Sequence, residues 1–429
     1  MKYTYRKIWL INLPVMMSIL VEQLINITDA LFLGHVGQTE LGASALGGIW
    51  FLAVYMIGFG FSLGMQSVIA RNNGAGNRDA AANAFVQGAI LLAAMAAACI
   101  ALSKLVSPPL LKAVVKSDAI YGAVTTYLDW RLWGIAFSFP FLAIRAFLVG
   151  ITVTRPLTAA AMIALAVNIA GNTLLIFGLD MGIAGAAIAS SLAEMSALLF
   201  LLWRMSVLPR DVRRTIRLRF DPASLRTVTD VSRWSMVHSS IGIMPWFLFF
   251  LAIEHTGERN LAVANILRSV STLFFVLVNS FATTAGSLAG NLSGEGRNRD
   301  IIPLCRRTAS MGYAIGMPLV AAALLLHRTV VGCYTADEGL ILLSRIPYAV
   351  MLANYLFALP SYVATNAVIG TGAARTAFRF QLTTIAFYLA YLWLLHRAGA
   401  SLSLFWTAEY LYVILLLIQS GLYLRHRCV

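Results

Sequence analysis

Twelve long apolar runs separated by short polar turns constrain this chain more than any other feature. A helix rising 1.5 Å per residue needs about 20 mainly apolar residues to cross the hydrocarbon core of a bilayer. The runs fall near 8–34, 41–70, 81–103, 120–151, 156–178 and 182–203, then 231–253, 261–291, 304–326, 343–370, 377–396 and 402–424. Only 12% of the 429 residues are charged, while 59% are hydrophobic. A soluble domain carries about 25% charged residues, so this chain needs lipid as solvent for much of its surface. The pattern predicts an all-α integral membrane protein of twelve transmembrane helices in two pseudo-symmetric six-helix lobes. The expected divisions are an N-terminal lobe over 1–204, a basic cytoplasmic linker over 205–230 and a C-terminal lobe over 231–429.

The formal net charge of +14 is spread between the apolar runs and does not form one basic face, which argues against a nucleic-acid partner. Connections rich in Lys and Arg stay cytoplasmic. With both termini in the cytoplasm, that side holds 22 of the 32 basic residues, including Arg210, Arg213, Arg214, Arg217 and Arg219. The far side holds seven, and Arg131, Arg145 and Arg268 fall within spans. The long basic connection reads as a topology-setting linker between halves. Met1–Lys7 is short and basic, but the apolar stretch after it carries Glu22 and Asp29 and lacks a small-residue cleavage site. It reads as the first span, not a removed leader. Cys99, Cys305, Cys333 and Cys428 are scattered singly, without the paired spacing of a disulfide framework or a zinc site.

The chain repeats itself at an offset of 220 residues. His35, Gly37 and Leu41 return as His255, Gly257 and Leu261. Gly74 and Gly76 return as Gly294 and Gly296. Pro140, Gly150 and Arg155 return as Pro360, Gly370 and Arg375. Six spans per half make both copies enter the membrane from one side, as in transporters built from parallel repeats, where substrate sites lie near the midplane.

A carboxylate at a helix centre costs on the order of 2.5–3.5 kcal/mol on insertion scales, so its presence requires a reason. Glu22, Asp29, Glu194 and Glu409 lie well inside spans; Asp129, beside Arg131, sits nearer the outer end of its span and is set apart. Glu22, Asn26 and Asp29 are spaced i, i+4, i+7 and share one face of the first helix. Because low-dielectric surroundings disfavour the charged form, such a carboxyl can exchange a proton for a cation. Asp29 and Glu22 are therefore the candidate ion-coupling residues. Asn168 and Asn172, at i, i+4 on the fifth helix, serve either as packing glue or as cavity lining that shares hydrogen bonds with Asp29. Glu194 and Glu409 are expected to share a role, bonding Arg145 or Arg268 as counter-ions. Asn26, Asn168, Asn172, Glu194 and Arg145 complete the candidate substrate and ion cavity. Pro140 and Pro360 predict a matched hinge in the fourth and tenth helices.

In order and spacing the chain resembles the multidrug and toxic compound extrusion (MATE) family over nearly its whole length. The resemblance rests on Pro14-x14-Asp29 running into Phe32-Leu33-Gly34-His35-Val36-Gly37, and on the connection Ala70-Arg71-Asn72-Asn73-Gly74-Ala75-Gly76. Pro140-x9-Gly150-x4-Arg155-Pro156, Asn168-x3-Asn172 and Gly182-Ile183-Ala184-Gly185-Ala186 extend it. The resemblance implies a single-chain antiporter that exports small organic compounds against an inward flow of protons or sodium, with no cofactor. Asp29 then inherits the ion-coupling role, and Asn168 the polar position on helix five. A sodium ion, if used, would sit at Asp29, Asn168 and Asn172. Asn172 stands where some branches carry Asp, and helix ten lacks the acid of another branch. Coupling is therefore expected to run through the N-terminal lobe. The nearest rival is a flippase for a lipid-linked substrate, for which the spans offer few basic residues. An intramembrane enzyme is the remote one, because no HExxH, GxSxG or Walker motif is present.

Overall fold

The computed structural model describes residues 3–207, 215–216, 220–242, 244–254 and 256–428. Among these, twelve helices are long and apolar enough to cross a membrane. They are α1 (Tyr5–Val36), α2 (Gln38–Gly74), α3 (Arg78–Val114), α4 (Asp118–Gly150), α5 (Arg155–Gly178) and α6 (Gly182–Ser206). The second six are α7 (Pro222–Glu254), α8 (Glu258–Gly294), α9 (Asn298–Leu325), α10 (Glu338–Gly370), α11 (Ala374–Arg397) and α12 (Leu402–Arg427). The expected twelve-span, all-α architecture is thus observed. The linker arginines Arg210, Arg213, Arg214, Arg217 and Arg219, His255 of the repeat and the Cys428 side chain lie outside the described residues. Among the described residues, Cys99, Cys305 and Cys333 form no disulfide.

The chain forms two compact units, one of Leu13–Met236 and one of Met1–Asn12 with Val237–Val429. Their boundaries fall inside α1 and α7, so each of these helices belongs in part to both units. α7 begins at Pro222, within the stretch read from sequence as linker. Asp221 accepts a hydrogen bond from the Ala223 amide at 3.1 Å, and Pro222 occupies the first turn, where its missing N–H costs nothing. This opening turn is too polar to register as part of an apolar run. α3 likewise continues past Lys104, through Pro108 and Pro109, to Val114.

The repeat persists in three-dimensional detail. α4 is interrupted by a 3-10 turn at Leu132–Gly134, and α10 by a break at Asn354, the position matching Gly134. In both helices the interruption lies about one and a half turns before the proline. Pro360 cannot donate to the Leu356 carbonyl one turn back, and the Tyr313 hydroxyl donates to it instead. The turns after α2 and α8 both place a glycine in the left-handed region, Gly76 at φ 76° and Gly296 at φ 73°.

Close helix approaches repeat as well. A Cβ added at Gly150 would stand 2.7 Å from Ile69 Cγ2 and 3.4 Å from the Gln66 carbonyl oxygen. At the matching position, a Cβ on Gly370 would stand 2.8 Å from the carbonyl carbon of Gly286, which is the repeat partner of Gln66. Small residues permit this backbone contact, and tight packing is what drives helix association where lipid tails are as apolar as the side chains. Gly370→Val is therefore expected to destabilise the second unit by about 1–3 kcal/mol or more through overpacking. Gly421→Ala, which meets only open space, is the control. Thermal melting in detergent should separate the two; equal melting temperatures would refute this packing account.

Candidate functional site

The polar groups of the first unit converge because α5 and α6 can approach closely. A Cβ on Gly171 would lie 3.0 Å from Ala189 Cβ, and one on Gly185 would lie 2.9 Å from the Leu175 carbonyl carbon. The α-helical part of α5 ends at Asn172 and a π-helical turn follows over Thr173–Gly178. Turns of that kind concentrate at functional sites. Asn168 and Asn172 project from the last regular turn and are fully buried.

Three side chains donate to the Asp29 carboxylate. Asn168 Nδ2 lies 2.9 Å and Asn172 Nδ2 2.7 Å from Oδ1. Ser190 Oγ donates to Oδ2. The donors are themselves linked: Asn168 Nδ2 also reaches Ser190 Oγ at 3.1 Å, and Asn172 Nδ2 reaches Asn168 Oδ1 at 3.3 Å. Asn172 Oδ1 is buried without a hydrogen-bond partner. All direct donors to Asp29 are neutral. Such a cradle can hold the ionised carboxylate through charge-assisted hydrogen bonds. It also offers a cation two carboxylate oxygens, the Ser190 hydroxyl and the unclaimed Asn172 oxygen, which is the oxygen-rich donor set a hard ion requires.

Around this cradle stand an ion pair and a further buried acid. Glu194 Oε1 accepts from Arg131 Nη2 at 2.7 Å, and the Arg131 guanidinium lies over the Phe51 ring at 3.6 Å. The Arg131 charge acts on both Tyr127 and Asp29. The expectation that Glu194 pairs with Arg145 or Arg268 is corrected here: its partner is Arg131, brought alongside α6 by the 3-10 turn of α4. Glu22 is instead the acid on which the Arg145 charge acts, with Tyr55 among its polar neighbours. Arg268 lies over the Phe250 ring at 5.4 Å. Asn26 is exposed and makes none of these contacts.

Sequence reasoning missed Ser190, Tyr55 and Tyr127, and left Arg131 aside. A hydroxyl in an alanine-rich helix and aromatics in a lipid-soluble chain carry little signal. Only the i, i+4 spacing of Ser190 and Glu194 could have marked the face of α6 that matters.

In the second unit the cradle is not repeated. The positions matching Asp29 and Asn168 hold Phe249 and Tyr388. Phe249 packs edge-on against Trp406 at 5.0 Å between ring centroids, and the Tyr388 hydroxyl donates to Glu409 at 2.8 Å. The expectation that Glu194 and Glu409 share a role is therefore also corrected: one is ion-paired, while the other is held by a phenol.

Twelve spans with a carboxyl cradled inside the membrane define a multi-pass membrane protein built around an intramembrane ionisable site. The MatE family model matches residues 14–174 and 243–394. The Multidrug resistance protein MdtK of Edwardsiella ictaluri is 24% identical over 406 residues, covering 90% of this chain and 85% of that one. The Probable multidrug resistance protein NorM of Idiomarina loihiensis is 23% identical over 320 residues, covering 70% and 66%. Among solved structures, an outward-facing multidrug resistance MATE family transporter aligns with a TM-score of 0.91 at 18% identity, covering 99% of this chain and 96% of that one. The Vibrio cholerae MATE transporter VcmN, solved as a variant, aligns with a TM-score of 0.90 at 16% identity, covering 98% and 97%. The chain belongs to the MATE family: it is a membrane transporter and not an enzyme.

The cradle makes a stability prediction. Asn172→Leu removes one donor and leaves the Asp29 carboxyl short of a hydrogen bond, which should cost about 1–3 kcal/mol. Thermal melting of the purified protein checks this, and an unchanged melting point would show that Asn172 contributes nothing to holding Asp29.

Proposed function

We propose that this transporter exports small organic compounds, cationic or amphiphilic, in exchange for protons or sodium ions, by alternating access across a bacterial inner membrane. Both termini face the cytoplasm on this reading, and the chain works as a monomer. The observation that carries the proposal is Asp29: a carboxyl inside a span, held only by the neutral donors Asn168, Asn172 and Ser190. A carboxylate without a directly bonded cation is suited to being neutralised by an ion that comes and goes. Protonation withdraws one acceptor position from the cradle, and a sodium ion would take the carboxylate oxygens together with the Ser190 hydroxyl and the unclaimed Asn172 oxygen. Glu22 is the second proposed ion-coupling carboxyl, and Asn26, Glu194 and Arg145 complete the polar lining. Pro140 and Pro360, each following a matched break in its helix, are the proposed hinge positions.

Asp29→Asn keeps the size and most of the hydrogen-bonding capacity of the side chain but removes its charge. Efflux of a cationic dye from cells should be abolished, while the amount of protein in the membrane stays unchanged. In vesicles, dye transport by the unmodified protein should follow an imposed proton or sodium gradient. Transport that ignores both gradients would remove the antiporter reading, and full activity of Asp29→Asn would remove Asp29 from it.

A further inference from the structure

The two broken helices match in backbone but not in what holds them. A proline inside a helix frees the carbonyl four residues before it, which is Ala136 in α4 and Leu356 in α10. In the second unit two phenols bridge α9 and α10 across the break. The Tyr313 hydroxyl, on α9, donates to the freed Leu356 carbonyl. The Tyr355 hydroxyl, on α10, donates back to the Gly312 carbonyl at 2.9 Å. The two rings meet edge-on with 6.4 Å between centroids, and Tyr355 also lies edge-on to Phe274 of α8 at 6.2 Å. Two glycines one turn apart on α9 admit this contact. A Cβ on Gly312 would stand 2.6 Å from Leu359 Cδ2, and one on Gly316 would collide with the Tyr355 phenol. Tyr355 is buried, so its hydroxyl would be an unsatisfied polar group without the Gly312 carbonyl.

The first unit has the same break and the same proline without the bridge. α3 contains no tyrosine, and Ile135 stands at the position matching Tyr355. Among the described residues no side chain donates to the Ala136 carbonyl. The nearby Ser138 hydroxyl bonds the Gly134 carbonyl of its own helix at 3.0 Å and ties α4 to no neighbour. The Arg131–Glu194 pair holds α4 ahead of its break, not across it. We infer that Tyr313 and Tyr355 form a latch on the α10 bend. The α4 hinge can then flex by itself, whereas the α10 hinge moves only when both phenol bonds to α9 are released. This inference rests on the reading of Pro140 and Pro360 as hinge positions, and it makes the two hinges unequal. Each phenol bond sits where it can act as a latch. One takes the carbonyl that the proline leaves open, and the other ties the adjacent residue, so α10 cannot change its bend without breaking contact with α9.

Hydrogen exchange read by mass spectrometry tests the latch in the full-length protein in nanodiscs. The segments to compare cover the α4 break, residues 134–141, and the α10 break, residues 354–361. In the unmodified protein the α10 segment should be the better protected of the two. Tyr313→Phe and Tyr355→Phe keep the rings and lose one hydroxyl each. Each should speed exchange at 354–361 by about three- to tenfold, the effect of one hydrogen bond on a local opening, and leave 134–141 unchanged. Tyr391→Phe, which loses a hydroxyl contact between α11 and α12, should change neither segment. Unchanged exchange at 354–361 in both variants overturns the inference. So does equal acceleration at 134–141, which would report general loosening, and so does an α10 segment that already exchanges as fast as α4 in the unmodified protein. This readout requires no transport, so a failure of the antiporter reading appears separately, as dye movement that ignores both gradients.

Discussion

A carboxylate placed in hydrocarbon must be neutralised, and the rest of the first unit is organised around how that is done. Two of its three interior acids have internal answers. Glu194 is ion-paired with Arg131, and Glu22 lies under the influence of the Arg145 charge. Asp29 has only neutral donors. The distinction is one of chemistry, since all three sit inside spans and are shielded from bulk water to similar degrees. A paired acid is committed to its partner, because separating a buried pair leaves an uncompensated charge on each side. An acid held by amides and a hydroxyl carries no such commitment, and this is the property on which the proposed exchange rests.

The geometry that makes this possible comes from small residues and broken helices. Gly171 and Gly185 let α5 and α6 meet closely enough for Ser190 to reach the carboxylate that Asn168 and Asn172 already hold. Gly134 and the 3-10 turn around it bring Arg131 to Glu194. A straight, bulky-faced bundle would separate the same side chains, and each would then be an unsatisfied polar group in a medium without water.

Much of this was legible in the sequence. Twelve apolar runs fixed the fold class, and the 220-residue offset named matched features that are matched in three dimensions, down to Gly150 against Gln66 and Gly370 against Gly286. The i, i+4 spacing of Asn168 and Asn172 pointed to the face that meets Asp29. Pairing was not legible. Which arginine answers which acid depends on where α4 is interrupted, and no periodicity announces a 3-10 turn at Leu132–Gly134. Arg131 looked peripheral because it lies two residues from Asp129. The two point apart, one towards α6 and the other towards Lys104. The start of α7 was missed for a related reason: Pro222–Asp230 is helical but too polar to count as span.

The duplication also shows what the two copies were free to change. Backbone features survive in both: the left-handed glycines, the broken helices and the close glycine contacts are properties of the scaffold. Side-chain chemistry does not survive. Where the first copy has Asp29 and Asn168, the second has Phe249 and Tyr388, and an aromatic cluster of Trp246, Phe249, Phe250 and Trp406 fills the space of an ion cradle. Aromatic packing in the second copy keeps the helix geometry that the repeat depends on. Glu409 persists there, 8% exposed and bonded by Tyr388, in surroundings where the neighbouring titratable groups are phenols and no guanidinium answers it. The two copies of one fold thus share their backbone devices and differ in the charge they carry inside the membrane.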